Sequence, residues 1–172
     1  MHSTRSRKEL LERVLCSLDL ALTIFEYISW GTLVRLSNAN TMFRLCVHRY
    51  MELQVLFYLN QFVKTEDIFK LLNLLKKSNA YIMGGIPRCI MADPCMKRLY
   101  RAHPPNTLDI VTPLVPGPSE ASGKQIRRFL LSLQGYTVLY SGGPEYPHNH
   151  TMSMRYRLWN KVNHLTIVLF NY

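Results

Sequence analysis

The spacing of the apolar residues changes near residue 80, and this change constrains the fold more than any other feature of the sequence. Before it, apolar residues recur at intervals typical of one helix face, as in Ile68, Leu71 and Leu75. After it, short apolar runs are bounded by turn residues or alternate with polar residues, which is the pattern of strands. We therefore expect an α+β protein in which helices come first and a sheet follows.

The first helices are predicted within residues 17–63. Leu18, Leu22 and Phe25 recur at helical spacing, and a second apolar row lies beside them. A helix that is apolar on two sides must be covered on both, either by its own domain or by another protein.

Four polar residues are predicted to cap helix N-termini, namely Thr32, Asn40, Thr65 and Ser122. The helix after Thr65 is the most clearly marked, because acids follow the cap and two lysines end it, as the helix dipole favours. The helix after Ser122 begins with a capping-box pattern, with Gln125 at the required spacing. We expect each of these two helices to bury one apolar face.

The predicted strands all follow the change of spacing. They cover residues 81–83, 108–112, 136–140, 152–159 and 165–170. Helices are expected after each of the first two strands, so the sheet is flanked by helices. Since the chain stops directly after an apolar strand, we expect this domain to be a shortened version of a longer one.

A glycine turn follows the first predicted strand. Gly84 and Gly85 lack Cβ, so their backbone amides could approach a phosphate, and Arg88 would add positive charge. Further along, a predicted strand carries Thr107 and Asp109, two positions that point to the same side of a strand. The alternative is that the glycines serve only the turn, and the sequence leaves both interpretations open.

This arrangement resembles the core of the nucleotidyltransferase fold, in which a glycine turn cradles phosphates and an Asp-x-Asp strand holds metal. The likeness extends to Phe129-Leu130 and Gly135-Tyr136. The resemblance implies a small mixed sheet and a ligand site formed by Gly84, Gly85, Arg88, Thr107 and Asp109. Thr107 stands where the family has its first aspartate.

The carboxylates that nucleotidyl transfer requires are largely missing. The reaction uses two Mg²⁺ ions about 3.5–4 Å apart, and Mg²⁺ requires oxygen ligands in near-octahedral array, so two or three carboxylates are needed. Asp109 is the one carboxylate retained, and residues 165–170, where the family has a third, contain no acid. We therefore predict no catalytic residues, no metal site and no cofactor.

A second resemblance lies in the first helices. Residues 16–45 resemble an F-box, whose pattern includes an acid, an apolar helix with Ile-Phe and a later Phe-Arg pair. Cys16-Ser17 departs from the family's Leu-Pro, and Thr32 departs from its Asp. The positions that carry the resemblance are Asp19, Leu20, Leu22, Ile24-Phe25, Tyr27-Ile28, Thr32-Leu33, Leu36, Asn40 and Phe43-Arg44.

In F-box proteins the apolar helix face docks on a Skp1-type adaptor of a ubiquitin ligase. The resemblance therefore implies a partner-binding surface formed by Leu18, Leu22, Ile24, Phe25, Leu33 and Leu36. The combined architecture is similar to that of fungal proteins that join a weak F-box to a nucleotidyltransferase-like region. The alternative is an ordinary helical subdomain that packs on the sheet domain.

Composition limits the remaining classes of protein. The 172 residues suit one domain or two small ones, and 48% hydrophobic with 19% charged residues excludes wholesale disorder. Asp19 and Glu26 interrupt the best candidate for a membrane span, and the polar start does not lead into a signal-peptide core. We expect a soluble cytoplasmic or nuclear protein with no membrane partner.

The chain is basic, with a formal net charge of +10. Its lysines and arginines are spread along the whole chain and do not alternate with aromatic residues as in a nucleic-acid platform. Such a charge predicts at most salt-sensitive, electrostatic binding of nucleic acid. The alternative is a solvated basic surface without a nucleic-acid role.

Neither the histidines nor the cysteines predict a metal site. His148 and His150 flank Asn149 in a loop without further ligands, so we expect them to be exposed. The cysteines have no Cys-x-x-Cys spacing, which predicts buried, reduced thiols at Cys16, Cys46, Cys89 and Cys95.

The sequence thus predicts a flexible basic arm over residues 1–14, a helical F-box-like domain over 15–63 and a nucleotidyltransferase-like domain over 64–172. The expected function is that of a non-catalytic adaptor that binds a Skp1-type partner and uses the second domain as scaffold or ligand binder. The alternatives are a Mg-dependent nucleotide binder or nucleotidyltransferase, and a basic nucleic-acid-binding protein.

Overall fold

The computed structural model describes residues 18–113, 118–133, 135–141 and 153–171. These residues form seven helices and a five-stranded sheet, which confirms the α+β class. They divide into two compact units. The helical unit comprises the described residues up to Val55 together with 89–103, and the sheet unit comprises 56–88 with the described residues from Pro104 onward.

This division does not follow the predicted domains, which were continuous along the chain. The helical unit takes in residues 89–103 from beyond the predicted boundary at residue 63. The reason lies in the helix over these residues, because Lys97 forms hydrogen bonds with Ile28 and Tyr50 of the N-terminal helices. The predicted arm over residues 1–14 lies outside the described residues.

Four helices contribute to the helical unit. They are α1 (Leu18–Phe25), α2 (Trp30–Ala39), α3 (Thr41–Leu59) and, after the first strand and a short helix, α6 (Pro94–Ala102). None of the helices in the described ranges has both the length and the apolar character needed to cross a membrane.

The core of the helical unit is built from α1, α2 and α3. Phe25 and Tyr50 pack edge to face at its centre, with ring centroids 5.7 Å apart and planes at 83°. The buried members of this cluster are Ala21, Phe25, Leu33, Val47 and Tyr50.

The predicted cap of α3 is confirmed, because the Phe43 backbone N–H donates to Oδ1 of Asn40 at 2.8 Å. The Thr32 prediction was wrong. Ser29 caps α2 in an extended conformation and its hydroxyl accepts from the Thr32 N–H, so α2 starts one turn earlier than Thr32 would allow.

Two further cap predictions were also wrong. α4 begins with Thr65 itself, after Lys64, and the Thr65 hydroxyl donates instead to Oδ1 of Asn60 at 2.7 Å. α7 begins at Pro118, so Ser122 lies inside that helix. Proline tolerates the first helical turn, where its missing N–H is not needed.

The sheet unit contains α4 (Thr65–Lys77) and the elements that follow it, apart from α6. These are β1 (Tyr81–Met83), α5 (Gly85–Ile90), β2 (Thr107–Thr112), α7 (Pro118–Ser132), β3 (Tyr136–Ser141), β4 (Ser153–Asn160) and β5 (Thr166–Asn171). Helix α5 ends at the boundary between the two units.

The five strands form one mixed sheet in the order β1-β2-β5-β4-β3. β2 and β5 are parallel, and every other neighbouring pair is antiparallel. Buried side chains of the strands and of α4 and α7 form the core of this unit, including Leu108, Ile110, Leu158, Ile167, Leu169, Ile68, Leu71, Ile126 and Leu130. The mixed sheet thus agrees with the predicted class of sheet.

The described cysteines are not paired with one another in disulfides, and they differ in exposure. Cys89 is buried and Cys46 is half-buried, whereas Cys95 is exposed near the start of α6. The prediction of a buried thiol was therefore wrong for Cys95. Cys16 lies outside the described residues.

Candidate functional site

The glycine turn lies beside the acid of β2. β1 and β2 are antiparallel with Met83 opposite Asp109, so the chain reaches Gly84 next to that carboxyl group. Gly84 has φ +77°, a left-handed conformation that side chains other than glycine rarely adopt. A Cβ at Gly84 would also collide with Oδ2 of Asp109.

Gly85 is required for a different reason. A Cβ at this position would lie 2.9 Å from Cβ of Pro105, closer than real Cβ atoms approach other carbons. Both glycines are thus explained by the turn and by its contacts with Asp109 and Pro105. This packing favours the structural interpretation of the glycine pair over the phosphate-binding one.

The strands on either side of Asp109 supply no second carboxylate. β5 is parallel to β2 with Val168 opposite Asp109, and β1 places Met83 on the other side. Thr107 shares the strand face of Asp109 and pairs with Thr166. In the part of the chain that the structure describes, no three His, Cys, Asp or Glu side chains are grouped to hold a metal ion.

Asp109 is half-buried, and this environment disfavours its charge. Burial raises the pKa of the Asp109 carboxyl above its ordinary value. A carboxylate that binds Mg²⁺ is stabilised by the cation in its ionised form, whereas the surroundings of Asp109 favour the neutral acid.

Arg88 completes the set of predicted ligand residues. It lies exposed in the last turn of α5. The structure therefore brings Gly84 and Asp109 into contact and places Thr107 on the same strand face, while Arg88 is directed to solvent.

The predicted partner-binding residues differ in burial. Leu22, Ile24 and Leu36 are partly buried and pack against the core of the helical unit. Phe25 and Leu33 are members of that core, with at most 1% of their surface exposed, so neither presents a surface to a partner in the free chain. Leu18 begins α1, and its side chain lies outside the described part of the structure.

The exposed apolar surface of the helical unit lies on other residues. Leu20 of α1 is 41% exposed, Val34 of α2 is 40% exposed and Leu45 of α3 is 67% exposed. Tyr27, directly after α1, is 62% exposed. Leu20 and Tyr27 are positions of the F-box-like pattern. The pattern does not show that they are exposed, because their exposure depends on how the three helices pack.

Sequence reasoning missed a buried lysine in the helical unit. Lys97 of α6 is 3% exposed, and its Nζ donates to the Ile28 carbonyl at 3.3 Å and to the Tyr50 hydroxyl at 3.2 Å. Burial lowers the pKa of Lys97, and Glu26 acts in the opposite direction.

The environment of Lys97 includes a charged network. Glu26 forms an ion pair with Arg101 and accepts a hydrogen bond from Nε2 of Gln54 at 2.9 Å. The sequence feature that could have indicated this network is the spacing of Lys97 and Arg101, which are four residues apart and so lie on one face of α6. An ordinary amphipathic helix would bury Met96 and Leu99 instead, yet both are exposed.

A cavity of about 540 Å³ lies in the sheet unit. Its lining includes Tyr136, Asn160 and the start of α4. The Tyr136 hydroxyl donates to the Phe62 carbonyl at 3.0 Å, and burial raises the pKa of Tyr136 to about 12. This hydroxyl stays protonated at neutral pH and acts as a structural donor.

Searches against protein-family models, curated proteins and solved structures found no match for the chain.

Proposed function

We propose that the chain is a non-catalytic adaptor whose helical unit binds a Skp1-type partner protein. The observation that carries this proposal is the exposure of large apolar side chains on three consecutive helices, at Leu20, Val34 and Leu45. A contiguous exposed apolar patch is characteristic of protein-binding faces, and the proposal requires that these three side chains form one. The F-box-like pattern over residues 16–45 supplies the class of partner.

The core of the helical unit supports this proposal. Because Phe25 and Leu33 fill the core, the helices are held together without a partner. Leu22, Ile24 and Leu36 are partly buried and pack against the same core. The surface offered to a partner then consists of Leu20, Val34 and Leu45, together with Tyr27 directly after α1, rather than of the core residues.

The charge of the chain agrees with an acidic partner. The formal net charge is +10, which favours fast association with a negatively charged protein. Skp1-type adaptors are expected to be acidic, so the electrostatic and apolar contributions would act together.

The sheet unit is assigned a scaffold role in this proposal. The neighbours of Asp109 on β1 and β5 are Met83 and Val168, and one carboxylate does not hold two Mg²⁺ ions. The Mg-dependent nucleotide binder is the weaker candidate, since the side chain of Asp109 packs directly against the glycine turn.

The adaptor proposal is tested by titrating the full chain with a purified Skp1-type protein in a calorimeter. Leu20→Glu and Val34→Glu place a charge at exposed positions of the helical unit, so they leave its core intact. We expect each to weaken binding at least tenfold, which corresponds to about 1.4 kcal/mol.

Phe69→Glu is the matched control. Phe69 is 60% exposed, but it lies on α4 in the sheet unit. Binding by this variant should equal that of the wild type. Equal weakening by all three variants would mean that added negative charge alone repels the partner, and the proposed surface would then be wrong.

A further inference from the structure

The helical unit contains a cavity of about 320 Å³ between the end of α1 and α6. Three cations, Lys97, Arg98 and Arg101, lie on its wall with one carboxylate, Glu26. Its volume falls at the lower end of the range of small-molecule sites, which is about 300–1,000 Å³. A cavity of this size accommodates a small metabolite but not a large cofactor.

The charges on this wall leave an excess of positive charge. Glu26 is already paired with Arg101 and accepts from Gln54, so its charge is compensated within the protein. Asp93, which does not line the cavity, also interacts with Lys97. Lys97 and Arg98 carry the other two positive charges of the wall. A ligand with two negative charges would neutralise them.

Lys97 is the group that gains most from such a ligand. An ammonium has three N–H donors, and the described residues offer Lys97 two acceptors, the Ile28 carbonyl and the Tyr50 hydroxyl. Desolvation of the buried ammonium is unfavourable. An anion in the cavity would supply both a third acceptor and a compensating charge.

Arg98 is held in place by an aromatic ring. Its guanidinium lies over the ring of Tyr27, 5.3 Å from the ring centroid. Both residues line the cavity. A planar guanidinium with several fixed N–H donors is suited to bind phosphate oxygens in pairs.

We propose that this cavity binds a small molecule that carries a phosphate monoester group. Lys97 binds the phosphate at the buried end, Arg98 binds it from the wall beside Tyr27, and Arg101 neutralises Glu26 in their ion pair. The phosphate dianion matches the charges of Lys97 and Arg98 on the cavity wall. Leu20 and Val34, whose substitutions test the adaptor surface, do not line this cavity, whereas Tyr27 belongs to both.

The test is a calorimetric titration of the full chain with inorganic phosphate and with O-phosphoserine, at constant ionic strength. We expect saturable binding of both, and weaker binding of succinate, a dicarboxylate of equal charge. Lys97→Met and Arg98→Gln should each weaken phosphate binding at least tenfold. Circular dichroism shows whether the Lys97→Met variant still folds. If it does not fold, Arg98→Gln still tests the site, because Arg98 is exposed and its substitution leaves the core unchanged.

Arg49→Gln is the control variant, because Arg49 is an exposed arginine of the same unit that lies outside the cavity. It should bind phosphate as the wild type does. The assignment is overturned if Arg98→Gln binds phosphate normally, or if succinate binds as tightly as phosphate. A phosphoserine peptide that binds far more tightly than O-phosphoserine would overturn the small-molecule assignment.

Discussion

At position 84 both the backbone conformation and the packing of the candidate site require glycine. The residue has φ +77° and its Cα faces the carboxyl group of Asp109. Gly84→Ala should therefore lower the free energy of unfolding by more than about 1 kcal/mol, from the left-handed backbone alone. Urea denaturation followed by circular dichroism measures this loss.

Gly31→Ala is the matched control for that substitution. Gly31 lies in α2, and a Cβ there would meet no other atom within 4 Å. Alanine in a helix is favoured over glycine by about 0.5–1 kcal/mol, so this variant should be more stable than the wild type. Equal effects of the two substitutions would contradict the account of the glycine turn.

Asp109 gives a prediction about pH. Burial raises its folded-state pKa, so the folded chain holds the proton more tightly than the unfolded chain does. The contribution of Asp109 to stability is therefore greatest below about pH 4, the ordinary pKa of an aspartate, and is lost as pH rises through the folded-state pKa. Asp109→Asn removes the titrating group, so its urea midpoint at pH 7 should exceed that of the wild type.

The pH profile separates this effect from a general change in stability. Above pH 4 the Asp109→Asn profile should be flatter than that of the wild type. Glu52→Gln serves as control, because the exposed Glu52–Arg49 pair contributes less than about 1 kcal/mol. If the wild type is more stable than Asp109→Asn at pH 7, the Asp109 carboxylate is stabilised by a bound cation. That result would support the nucleotide-binding alternative.

At the scale of the elements, the cap of α3 is the clearest agreement between sequence and structure. Asn40→Ala removes the acceptor of the Phe43 N–H and should lower the free energy of unfolding by about 1 kcal/mol. Asn38→Ala, at an exposed position inside α2, should leave stability unchanged or raise it by a few tenths. Thermal denaturation measures the stability of both variants. A loss in Asn40→Ala alone indicates capping, whereas equal losses in both would indicate a general effect of replacing an asparagine.

The other cap predictions failed for a common reason. Several polar residues near each helix start favour capping, and the sequence does not show which of them leaves the helical conformation. Ser29 precedes Thr32 and adopts the extended conformation, so it takes the cap of α2. At α7 the helix extends back to Pro118, since proline fits a first turn as well as it fits a loop.

Helix α6 shows where apolar patterning gives the wrong face. Met96 and Leu99 share one side of the helix, which predicts that this side is buried. The structure buries Lys97 instead, because the Ile28 carbonyl and the Tyr50 hydroxyl receive its N–H groups. These acceptors lie far away in the sequence, so helical spacing carries no information about them.

At the scale of the whole molecule, the sequence predicted the class of fold and the five strands but not the grouping of the elements. The change of spacing near residue 80 correctly marked where the strands begin, because all five described strands follow it. Residues 89–103 nevertheless belong to the helical unit, since their contacts are made with the N-terminal helices. The assumption that each domain is one continuous stretch of sequence therefore does not describe the two units.

The candidate site was predicted in part. The retained Asp109, the threonine at position 107 and the glycine pair can all be identified in the sequence. The neighbours of Asp109 depend on strand order and register, which place Met83 and Val168 beside it. The His148-Asn149-His150 motif lies outside the described residues, and its exposure stays a prediction.

The central claim is that the helical unit binds a Skp1-type protein through exposed apolar residues. Calorimetric titration of the full chain and of its Leu20→Glu variant with that protein tests it most directly. We expect saturable binding by the wild type and at least tenfold weaker binding by the variant. Absence of binding by a folded wild-type chain, or unchanged binding by Leu20→Glu, would contradict it.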